Sequence, residues 1–481
     1  MKKIVYVNPP YGDDFVRSAR WAAKSRGRVQ RHPEQALILI AMLERDGHKC
    51  KFIEGAARNM TREEVISEVI KFAPDIAVIH TTTPSIYNDI NYAFDIKKSY
   101  PNCINVLVGA HVSAEPENTF DIAGCSVDVI ARGEPEKALC EISEDKKFSE
   151  VQGISYRCES DIVNNSSASP IDVNTLPFPA WKHIDPHWYH DAGKLYPFLT
   201  LYSARGCHGA CTFCRERHVI NGSNVRVRSA KAVVDEIEYD IALFPYLKEI
   251  MFETDTFTAN PKHVIDVCNE IITRGLHKKI KWSCNIRVDV QLNLLPLMKK
   301  AGCRMLMVGF EFGTNDQLNA VAKGTTIEMA DKFAYNAHKL GFVIHGCFMI
   351  GAPGETEQSA QATIDFAKSL PLDTIQISGI AVYPGTPLYR WAKEKKYLTV
   401  TNWEDWVNDK KEQVTLLSYP QMSKSKIDFY IDKGLREFYL RPVQIIKMLF
   451  TVRSFHDIIR KFYGLKSFLN YFFVKKLRVK R

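Results

Sequence analysis

Long apolar runs are absent from this sequence of 481 residues. No stretch of eighteen uncharged apolar residues occurs, so the sequence predicts no transmembrane helix. The apolar run near the start, Ile4 to Val7, is too short for a secretory signal peptide and is typical of a first strand. A hydrophobic content of 46% with 25% charged residues is that of a globular protein. We therefore expect a cytoplasmic protein.

A regular cysteine framework is also missing. The twelve cysteines lack the repeated spacing of a disulfide scaffold, and in a large cytosolic chain such thiols stay reduced or bind metal. Three of them are grouped in the segment Cys207-His-Gly-Ala-Cys211-Thr-Phe-Cys214. The other nine, among them Cys284 and Cys347, are expected to fill core positions as small hydrophobic residues.

Excess basic charge is absent from most of the chain. The formal net charge is +9, but residues 436–481 alone contain twelve Lys or Arg against two acids, which leaves the rest near neutral. This distribution argues against a protein body that coats nucleic acid. Apolar stretches interrupt the basic tail at 443–450, 455–463 and 468–474. Such a tail fits either a helical lid with a basic rim or a helix at an anionic membrane surface.

Short β-branched runs alternate with amphipathic helical patterns in the N-terminal part of the chain. The predicted strands are Ile4–Asn8, Lys49–Ile53, Asp75–Ile79, Ile104–Val108 and Val127–Ala131. The predicted helices are His32–Asp46, Arg62–Phe72, Ser85–Ser99 and Pro135–Glu144. Because such alternation indicates a parallel sheet covered by helices on both faces, residues 1–145 are expected to form a Rossmann-like, doubly wound domain of the α/β class.

The remaining chain divides into three parts. Residues 146–197 lack periodicity and are rich in Ser, Asn and Pro, which predicts a hairpin and linker. The alternation returns with predicted strands at Leu199–Ser203, Glu249–Phe252, Ile280–Cys284, Met305–Phe310, Val343–Met349 and Thr374–Gly379. Six repeats are too few for a complete eight-stranded barrel, so residues 198–400 are expected to form a partial (β/α)6 TIM-type barrel. Residues 401–481 are expected to be a C-terminal helical extension that is basic and aromatic.

The grouped thiols follow the first predicted barrel strand. Three thiolates with this spacing on one loop can hold a cubane iron–sulfur cluster and leave its fourth iron without a protein ligand. A tetrahedral zinc site, with His208 or His218 as the fourth ligand, is one alternative. Inert thiols that are grouped by chance are another. The spacing alone leaves all three interpretations open.

At this segment the chain resembles the radical S-adenosylmethionine (SAM) superfamily, including the aromatic Phe213 before the last cysteine. The resemblance implies a [4Fe–4S] cluster on Cys207, Cys211 and Cys214, with SAM chelated to the open iron. It also implies that electron transfer cleaves SAM to a 5′-deoxyadenosyl radical, with the hard chemistry supplied by the cofactors. An external electron donor of the flavodoxin or ferredoxin type is therefore an expected partner.

Other segments resemble the family at the ends of successive barrel strands. Glu253 and Asp255 follow the second strand, where the family holds the amino end of SAM. Arg287 follows the third strand and is expected to pair with the SAM carboxylate. Glu311 ends the fourth strand and is expected near the ribose or the amine. A helix cap at Asp255 and a surface pair between Arg287 and Asp289 are the structural alternatives.

No Gly-x-Gly-x-x-Gly follows the first strand, so the N-terminal domain is not predicted to bind a dinucleotide. Its place before the cysteine segment resembles the cobalamin-binding branch of the family, which includes hopanoid C-methylases and the anaerobic magnesium-protoporphyrin ester cyclase. The resemblance implies cobalamin near Thr82, Thr83, Gly109 and His111. His48 lacks the downstream glycine of the cobalt-ligating Asp-x-His-x-x-Gly pattern, so we expect no axial ligand from it.

The resemblance implies an enzyme that methylates an unactivated carbon of a hydrophobic small molecule. An oxidative cyclisation or rearrangement without methyl transfer is the enzymatic alternative. A cobalamin-binding sensor or an iron–sulfur electron-transfer protein is the alternative of another class. Nucleic acid is not an expected partner, because the basic residues of the tail are interleaved with large aliphatic ones. Peripheral membrane contact through the tail is a further expectation.

Overall fold

The structure is a computed structural model that describes residues 1–18, 20–25, 29–159 and 161–450, without the side chains of 448–450. The predicted apolar stretches at 455–463 and 468–474 lie outside the described residues. No helix within the described residues is both long and apolar enough to cross a membrane.

The N-terminal part alternates strands and helices, as the sequence pattern predicts. Its strands are β1 (Lys3–Asn8), β2 (Phe15–Val16), β3 (Ala23–Lys24), β4 (Lys49–Glu54), β5 (Ile76–His80), β6 (Ile104–Val108), β7 (Val129–Ala131), β8 (Ile154–Cys158) and β9 (Asp161–Asn164). Its α-helices are α1 (Glu34–Arg45), α2 (Arg62–Phe72), α3 (Ile86–Ser99), α4 (Ala110–Ala114), α5 (Pro116–Ala123) and α6 (Glu136–Ser143). Helix α2 begins at a capping box in which Thr61 and Glu64 each bond the other's backbone amide.

The first sheet has the strand order β4-β1-β5-β6-β7-β8-β9. The strands from β4 to β7 are parallel, while β8 and β9 form an antiparallel hairpin that extends the sheet beyond β7. Alternate residues of β1 enter different cores: Val5 and Val7 pack with α2 and α3, and Ile4 and Tyr6 pack with α1 and α6. The doubly wound sheet predicted from the sequence is confirmed.

The second part contains the barrel strands. They are β10 (Phe198–Leu201), β11 (Ala204–Arg205), β12 (Arg226–Val227), β13 (Glu249–Phe252), β14 (Lys281–Ile286), β15 (Cys303–Glu311), β16 (Val343–Ile350) and β17 (Thr374–Gly379). The helices are α7 (Ala230–Leu243), α8 (Pro261–Thr273), α9 (Leu294–Lys300), α10 (Asn315–Ala320), α11 (Ile327–Lys339), α12 (Glu357–Ser369), α13 (Pro387–Glu394), α14 (Lys424–Tyr439) and α15 (Pro442–Phe450).

The second sheet is the partial barrel expected from six repeats. Its order is β10-β13-β14-β15-β16-β17, and every neighbouring pair is parallel. Phe310 and Phe348 stack at 5.4 Å on the face covered by α11 and α12. Met307 and His345 are paired on the opposite face, which forms the lumen of the barrel. The helix side is therefore apolar, whereas the lumen side also carries polar groups.

The two parts share a packed interface. The core beneath α1 and α6 is continuous with the core of the barrel. Glu34, at the start of α1, accepts a hydrogen bond from the backbone amide of Tyr202 (2.6 Å). Arg205 donates to Glu136 (2.5 Å), and both side chains are buried. The first sheet is thus held against the barrel next to the loop that leaves β11.

A long segment between β1 and α1 crosses from the first sheet to the barrel. It contains the short antiparallel pair β2–β3, which the sequence pattern did not predict. Ala22 N donates to Tyr383 Oη (3.2 Å), and Lys24 N donates to Lys411 O (2.6 Å). Phe15 and Ala22 are buried in a small core with Val407. This crossing segment therefore joins the N-terminal domain to the residues that follow the barrel.

The cysteines outside the grouped segment are not all in the core. Cys103, Cys268, Cys284 and Cys303 are buried, and several others are half-buried. Cys125 and Cys158 are exposed, so the expectation of nine core cysteines is wrong for these two. Cys158 ends β8 in the hairpin at the sheet edge, where one strand face is open to solvent.

Candidate active site

The grouped cysteines lie on a loop that leaves the barrel between β11 and β12. The loop starts at Gly206, where φ is +90° and a Cβ atom would lie 2.1 Å from a backbone oxygen of residue 224. Cys207 N donates to the carbonyl of residue 222 (3.2 Å), and Cys214 N donates to Cys211 O (3.2 Å). Backbone hydrogen bonds therefore hold both ends of the segment that carries the thiols.

The arrangement of the thiols does not fit a single metal ion. Within the described residues, no group of three or more His, Cys, Asp or Glu side chains could hold one ion. His218 Nε2 lies within hydrogen-bond distance of Cys211 O (3.2 Å), which accounts for the imidazole without a metal. A cubane cluster binds each thiolate through a different iron, so it does not require the sulfur atoms to converge on one point. A set of three thiols on one loop, with the His218 imidazole beside a backbone carbonyl, therefore suits a cluster by the chemistry of its donors.

Cationic side chains face the cysteine loop. Arg287 Nη1 lies 3.7 Å from Cys211 Sγ, and a Cβ atom on Gly209 would lie 2.7 Å from the same guanidinium nitrogen. Burial raises the pKa of Cys214 to about 12, and the positive charge of Arg20 opposes that rise. Because a nearby guanidinium stabilises the thiolate and offsets the negative charge of a thiolate-bound cluster, these arginines suit cluster binding.

Asp255 forms hydrogen bonds with both sides of the cysteine loop. Its Oδ2 accepts hydrogen bonds from Gly206 N (3.1 Å) and Asn221 Nδ2 (3.0 Å). Arg20 lies 4.0 Å from Oδ1, and burial raises the pKa of Asp255. Through Oδ2 the side chain therefore anchors the start of the loop instead of capping a helix.

Glu253 is the other acid that follows β13. Its side chain is buried, and Oε2 lies 3.4 Å from Arg31 Nε without a hydrogen bond. Arg31 also pairs with Asp191 at 2.7 Å. Glu253 lines the cleft between the two domains, so its carboxylate is available to a cationic ligand group there.

Arg287 is buried, which excludes the surface-pair alternative. It forms a two-pronged contact with Asp289, with Nε and Nη2 donating at 3.1 and 2.9 Å. Its Nη2 also donates to Lys323 O (2.7 Å). With Nη1 directed at Cys211, the guanidinium links the cysteine loop to the turn after α10.

Glu311 adopts a strained backbone conformation at the end of β15. Its φ is +70°, and the register with β16 shifts between Gly309 and Glu311. Left-handed backbone is uncommon for a residue other than glycine and is found preferentially at functional sites. Lys323 Nζ donates to Glu311 Oε1 (2.7 Å), and both side chains are largely buried. The strain directs this carboxylate along the same side of the barrel as Arg287 and the thiols.

The carboxyl edge of the first sheet carries the residues predicted to lie near cobalamin. Gly109 has φ of +124°, and a Cβ atom there would lie 2.4 Å from Thr81 O. Thr82 Oγ1 lies 2.6 Å from Ser85 Oγ, so its hydroxyl is already paired. The His111 ring is 4.8 Å from the Trp403 ring, and burial lowers its pKa to about 3.

A cleft separates this edge from the cysteine loop. Its walls in the first domain include Asn8, His80, Thr81, Val108, Gly109 and Gly133. Its walls on the barrel side include Tyr202, Arg215, Glu216, Ile220, Glu253 and Asp255. Of the four predicted cobalamin contacts, Gly109 lines this cleft, whereas Thr82, Thr83 and His111 are buried beside it. Since Gly109 keeps side-chain atoms off the edge, a flat macrocycle could approach the backbone there.

His48 lies at the opposite edge of the first sheet. It precedes Lys49, which is paired with Lys3 at the amino ends of β4 and β1. His48 Nδ1 accepts a hydrogen bond from Lys2 N (3.2 Å). The ring is therefore remote from the carboxyl edge, as expected for a histidine without a ligand role.

Three basic residues of the site were not identified from the sequence. Arg20 and Arg31 lie on the crossing segment, and Lys323 follows α10. Arg20 and Arg31 are remote in the chain from Glu253 and Asp255, and Lys323 meets Glu311 only because α10 lies between them, so none has a recognisable spacing to its partner. Their roles follow only from the folded arrangement.

Two family models match separate parts of the chain. The Radical SAM superfamily model matches residues 201–367. The B12 binding domain model matches residues 28–143. The first match contains the cysteine loop and Glu311, and the second contains Gly109.

Related proteins match both domains together. An uncharacterized methyltransferase of Pyrococcus horikoshii is 32% identical over 431 residues, 88% of this chain and 91% of its own length. The anaerobic magnesium-protoporphyrin IX monomethyl ester cyclase of Cereibacter sphaeroides is 27% identical over 82% of this chain and 64% of its own length.

Solved structures share the fold across nearly the whole chain. The radical SAM methyltransferase TsrM of Kitasatospora setae superposes with a TM-score of 0.71 at 14% identity, covering 97% of this chain and 99% of its own. The cobalamin-dependent enzyme OxsB gives a TM-score of 0.71 at 18% identity, covering 97% of this chain and 72% of its own. With the two domain matches and the Pyrococcus relative, these findings place the chain in the cobalamin-binding branch of the radical SAM superfamily, whose cofactors are a [4Fe–4S] cluster, SAM and cobalamin.

Proposed function

We propose that this enzyme methylates an unactivated carbon of a hydrophobic small molecule. The observation that carries the proposal is that one cleft lies between the carboxyl edge of the B12-type domain and the barrel end bearing the cysteine loop. Open α/β sheets and barrels both bind ligands at the carboxyl ends of their strands. In this arrangement one substrate can reach groups bound to both domains.

The proposed cluster ligands are Cys207, Cys211 and Cys214. Arg287 offsets the negative charge of the bound thiolates, since its Nη1 lies 3.7 Å from Cys211 Sγ. Asp255 keeps the start of the loop in place through Gly206. When bound, the cluster with SAM supplies a radical that removes hydrogen, and cobalamin supplies a carrier for the methyl group.

We assign SAM binding to side chains at the ends of the barrel strands. Glu253 presents a carboxylate to the cleft and would receive the SAM amino group. Glu311 and Arg287 flank Lys323, so the SAM amino acid and ribose would meet one carboxylate and two cations. We assign Asp255 as a positioning residue, because its Oδ2 already accepts from Gly206 and Asn221 and its Oδ1 faces Arg20.

We assign cobalamin to the edge formed by His80, Thr81 and Gly109. These residues line the cleft, and Gly109 presents backbone without a side chain. Thr82, Thr83 and His111 support this edge from beneath, a change from their predicted direct contact. The loop rather than His48 would thus shape the surface under the macrocycle.

The hydrophobic character of the substrate is supported by methionines on the lumen side of the barrel. Met305, Met307 and Met349 share that side, by the register of β14, β15 and β16. Unbranched thioether side chains adapt to irregular apolar surfaces. We also propose a cytoplasmic location and an external flavodoxin- or ferredoxin-type electron donor, since the reaction consumes electrons.

Methyl transfer is supported by the Pyrococcus relative, which is described as a methyltransferase. The magnesium-protoporphyrin cyclase supports the second candidate, an oxidative cyclisation or rearrangement without methyl transfer. The test is turnover of candidate substrates with methyl-labelled SAM after anaerobic reconstitution. Label in the product is expected. A product formed without label would assign the enzyme to the second candidate.

The same assay separates an enzyme from a cobalamin-binding sensor or an electron-transfer protein. We expect 5′-deoxyadenosine to form when the reconstituted chain receives reductant and SAM. A loaded cluster with no 5′-deoxyadenosine under these conditions would contradict radical chemistry. The Cys211→Ala variant provides the background rate.

A further inference from the structure

The last described helix, α15, contacts the protein through its polar side chains. Gln444 is 3% exposed, and its Nε2 donates to Asp373 O (2.5 Å). Lys447 Nζ donates to Leu372 O (3.2 Å) and pairs with Asp373 Oδ1 (2.8 Å). Just before the helix, Arg441 Nη1 donates to the carbonyl of residue 368 (2.6 Å). One turn apart on the helix, Gln444 and Lys447 thus hold α15 to the barrel.

The aliphatic side chains of α15 that the structure describes point the other way. Val443 is 76% exposed, Ile446 53% and Ile445 44%. Leu440, in the turn before the helix, is 56% exposed. A surface helix ordinarily buries its apolar stripe and exposes its polar one, so the described side chains of α15, at residues 442–447, show the inverse pattern. A group of neighbouring exposed aliphatic side chains marks an interaction surface.

The chain beyond α15 favours an acidic partner. Residues 451–481 contain nine Lys or Arg and a single acid, Asp457. Two copies of this segment would repel each other, which disfavours a second copy of the chain as the occupant. An anionic lipid surface attracts such a segment and also accepts aliphatic side chains at its headgroup boundary. Neither property alone identifies the partner, but the two occur at one end of the chain.

We propose that Leu440, Val443, Ile445 and Ile446 dock this protein on a membrane surface that contains anionic lipid. The aliphatic side chains enter the headgroup region, and the basic residues after 450 supply the electrostatic attraction. Two modest interactions of this kind together give stable but reversible binding. The proposal does not depend on the reaction, because α15 belongs neither to the cleft nor to the cysteine loop.

The test is co-sedimentation of the full chain with vesicles of phosphatidylcholine alone or mixed with phosphatidylserine. We expect binding to the mixed vesicles and at least about tenfold weaker binding to phosphatidylcholine alone. Only the mixed vesicles carry negative charge that attracts the basic residues after 450, and salt screens this attraction. The double variant Val443→Ser with Ile446→Ser is expected to lower affinity for mixed vesicles by at least about tenfold. Lys475→Glu with Lys476→Glu is expected to weaken binding and to reduce its salt sensitivity.

The matched control is Met329→Ser with Tyr335→Ser. These side chains are 46% and 59% exposed on α11, outside the proposed surface, and should leave vesicle binding unchanged. Unchanged thermal unfolding of both double variants would show that neither change acts through folding. Equal vesicle binding by the chain and its Val443/Ile446 variant would overturn the proposal. So would a dimer in sedimentation velocity that the same variant dissociates, because a second copy would then be the occupant.

Discussion

Gly206 N donates to Asp255 Oδ2 over 3.1 Å, which ties the start of the cysteine loop to the end of β13. The same oxygen accepts from Asn221 Nδ2 on the far side of the loop (3.0 Å). One buried carboxylate therefore closes the loop that carries all three grouped thiols. An acid at the end of the second strand can act on the cluster site without contacting SAM.

Replacing Asp255 by Asn should loosen this closure. The amide oxygen can still accept from Gly206 N and Asn221 Nδ2, but the side chain is neutral and its nitrogen then faces the Arg20 guanidinium, which lies 4.0 Å from Oδ1. A hydrogen bond to a charged group contributes about 1.5–3 kcal/mol, against about 0.5–1.5 kcal/mol for a neutral one, so part of the closure energy should be lost. We expect less iron bound per chain after reconstitution, measured by iron and sulfide analysis. Asp266→Asn, on the exposed face of α8, is the control and should retain full iron content.

Removing one thiol should separate the two cofactor sites. Cys211→Ala is expected to abolish SAM cleavage while the chain still binds cobalamin, because the B12 binding model ends well before the cysteine loop. The measurements are 5′-deoxyadenosine formation and the corrinoid absorbance that remains after gel filtration. Cys125→Ala, at an exposed cysteine, should affect neither. Joint loss of cluster and cobalamin would contradict this division of the cofactors.

Adding a methyl group at Gly109 should disturb the cobalamin edge. The alanine Cβ would meet Thr81 O at 2.4 Å, in a backbone conformation with φ of +124° that L-residues rarely adopt. We expect Gly109→Ala to lose most cobalamin binding, measured by equilibrium titration. Gly124→Ala is the matched control, since φ is +55° and no atom lies within 4 Å of its Cβ. That change should cost about 1–3 kcal/mol of stability and leave cobalamin bound.

The interface beneath α1 should make stability depend on pH. Burial raises the pKa of Glu34 to about 8, and it also raises those of Glu236 and Asp240 on α7. Arg228 pairs with Glu236 at 2.5 Å and opposes these rises. Between the ordinary carboxyl pKa and the raised one, the folded chain binds more protons than the unfolded chain. The free energy of unfolding should therefore fall as pH rises from about 5 to about 8.

Glu34→Gln tests this dependence directly. The amide oxygen can still accept from Tyr202 N, but no proton needs to be held at neutral pH. We expect the variant to gain stability at about pH 8 relative to wild type and to show a flatter decline, measured by urea unfolding across the range. Glu144→Gln, at an exposed position, should reproduce the wild-type profile. An unchanged slope in Glu34→Gln would show that this carboxyl does not titrate in the interval.

The parallel strands of both sheets could be predicted from the sequence because each is a short apolar run between turn residues, whereas β8 and β9 were predicted only as a hairpin without bounds. Helix α2 spans Arg62–Phe72 as predicted, since Thr61 and Glu64 define its start in local sequence. The pair β2–β3 could not be predicted, because two-residue strands have no periodicity. Its position depends on Tyr383 and Lys411, which are remote in the chain.

For the same reason, only part of the candidate site could be predicted from the sequence. The three cysteines are close together in the chain, so their spacing alone indicated a shared role. The strain at Glu311 and its pairing with Lys323 depend on the register between β15 and β16, which the sequence pattern does not specify. Thr82 and His111 were predicted to lie near cobalamin, but both side chains are buried beside the cleft, because the direction of a side chain in a loop depends on its packing.

The crossing segment between β1 and α1 also determines when this protein can finish folding. Ala22 N reaches its partner on Tyr383, 361 residues later in the chain. At a synthesis rate of about 5–20 residues per second, the ribosome needs about 20–70 s to make that partner. During this interval the segment that holds Phe15 and Ala22 has been translated but cannot yet form its small core with Val407. Phe15 and Ala22 should therefore remain without their buried surroundings until the residues after the barrel have been made.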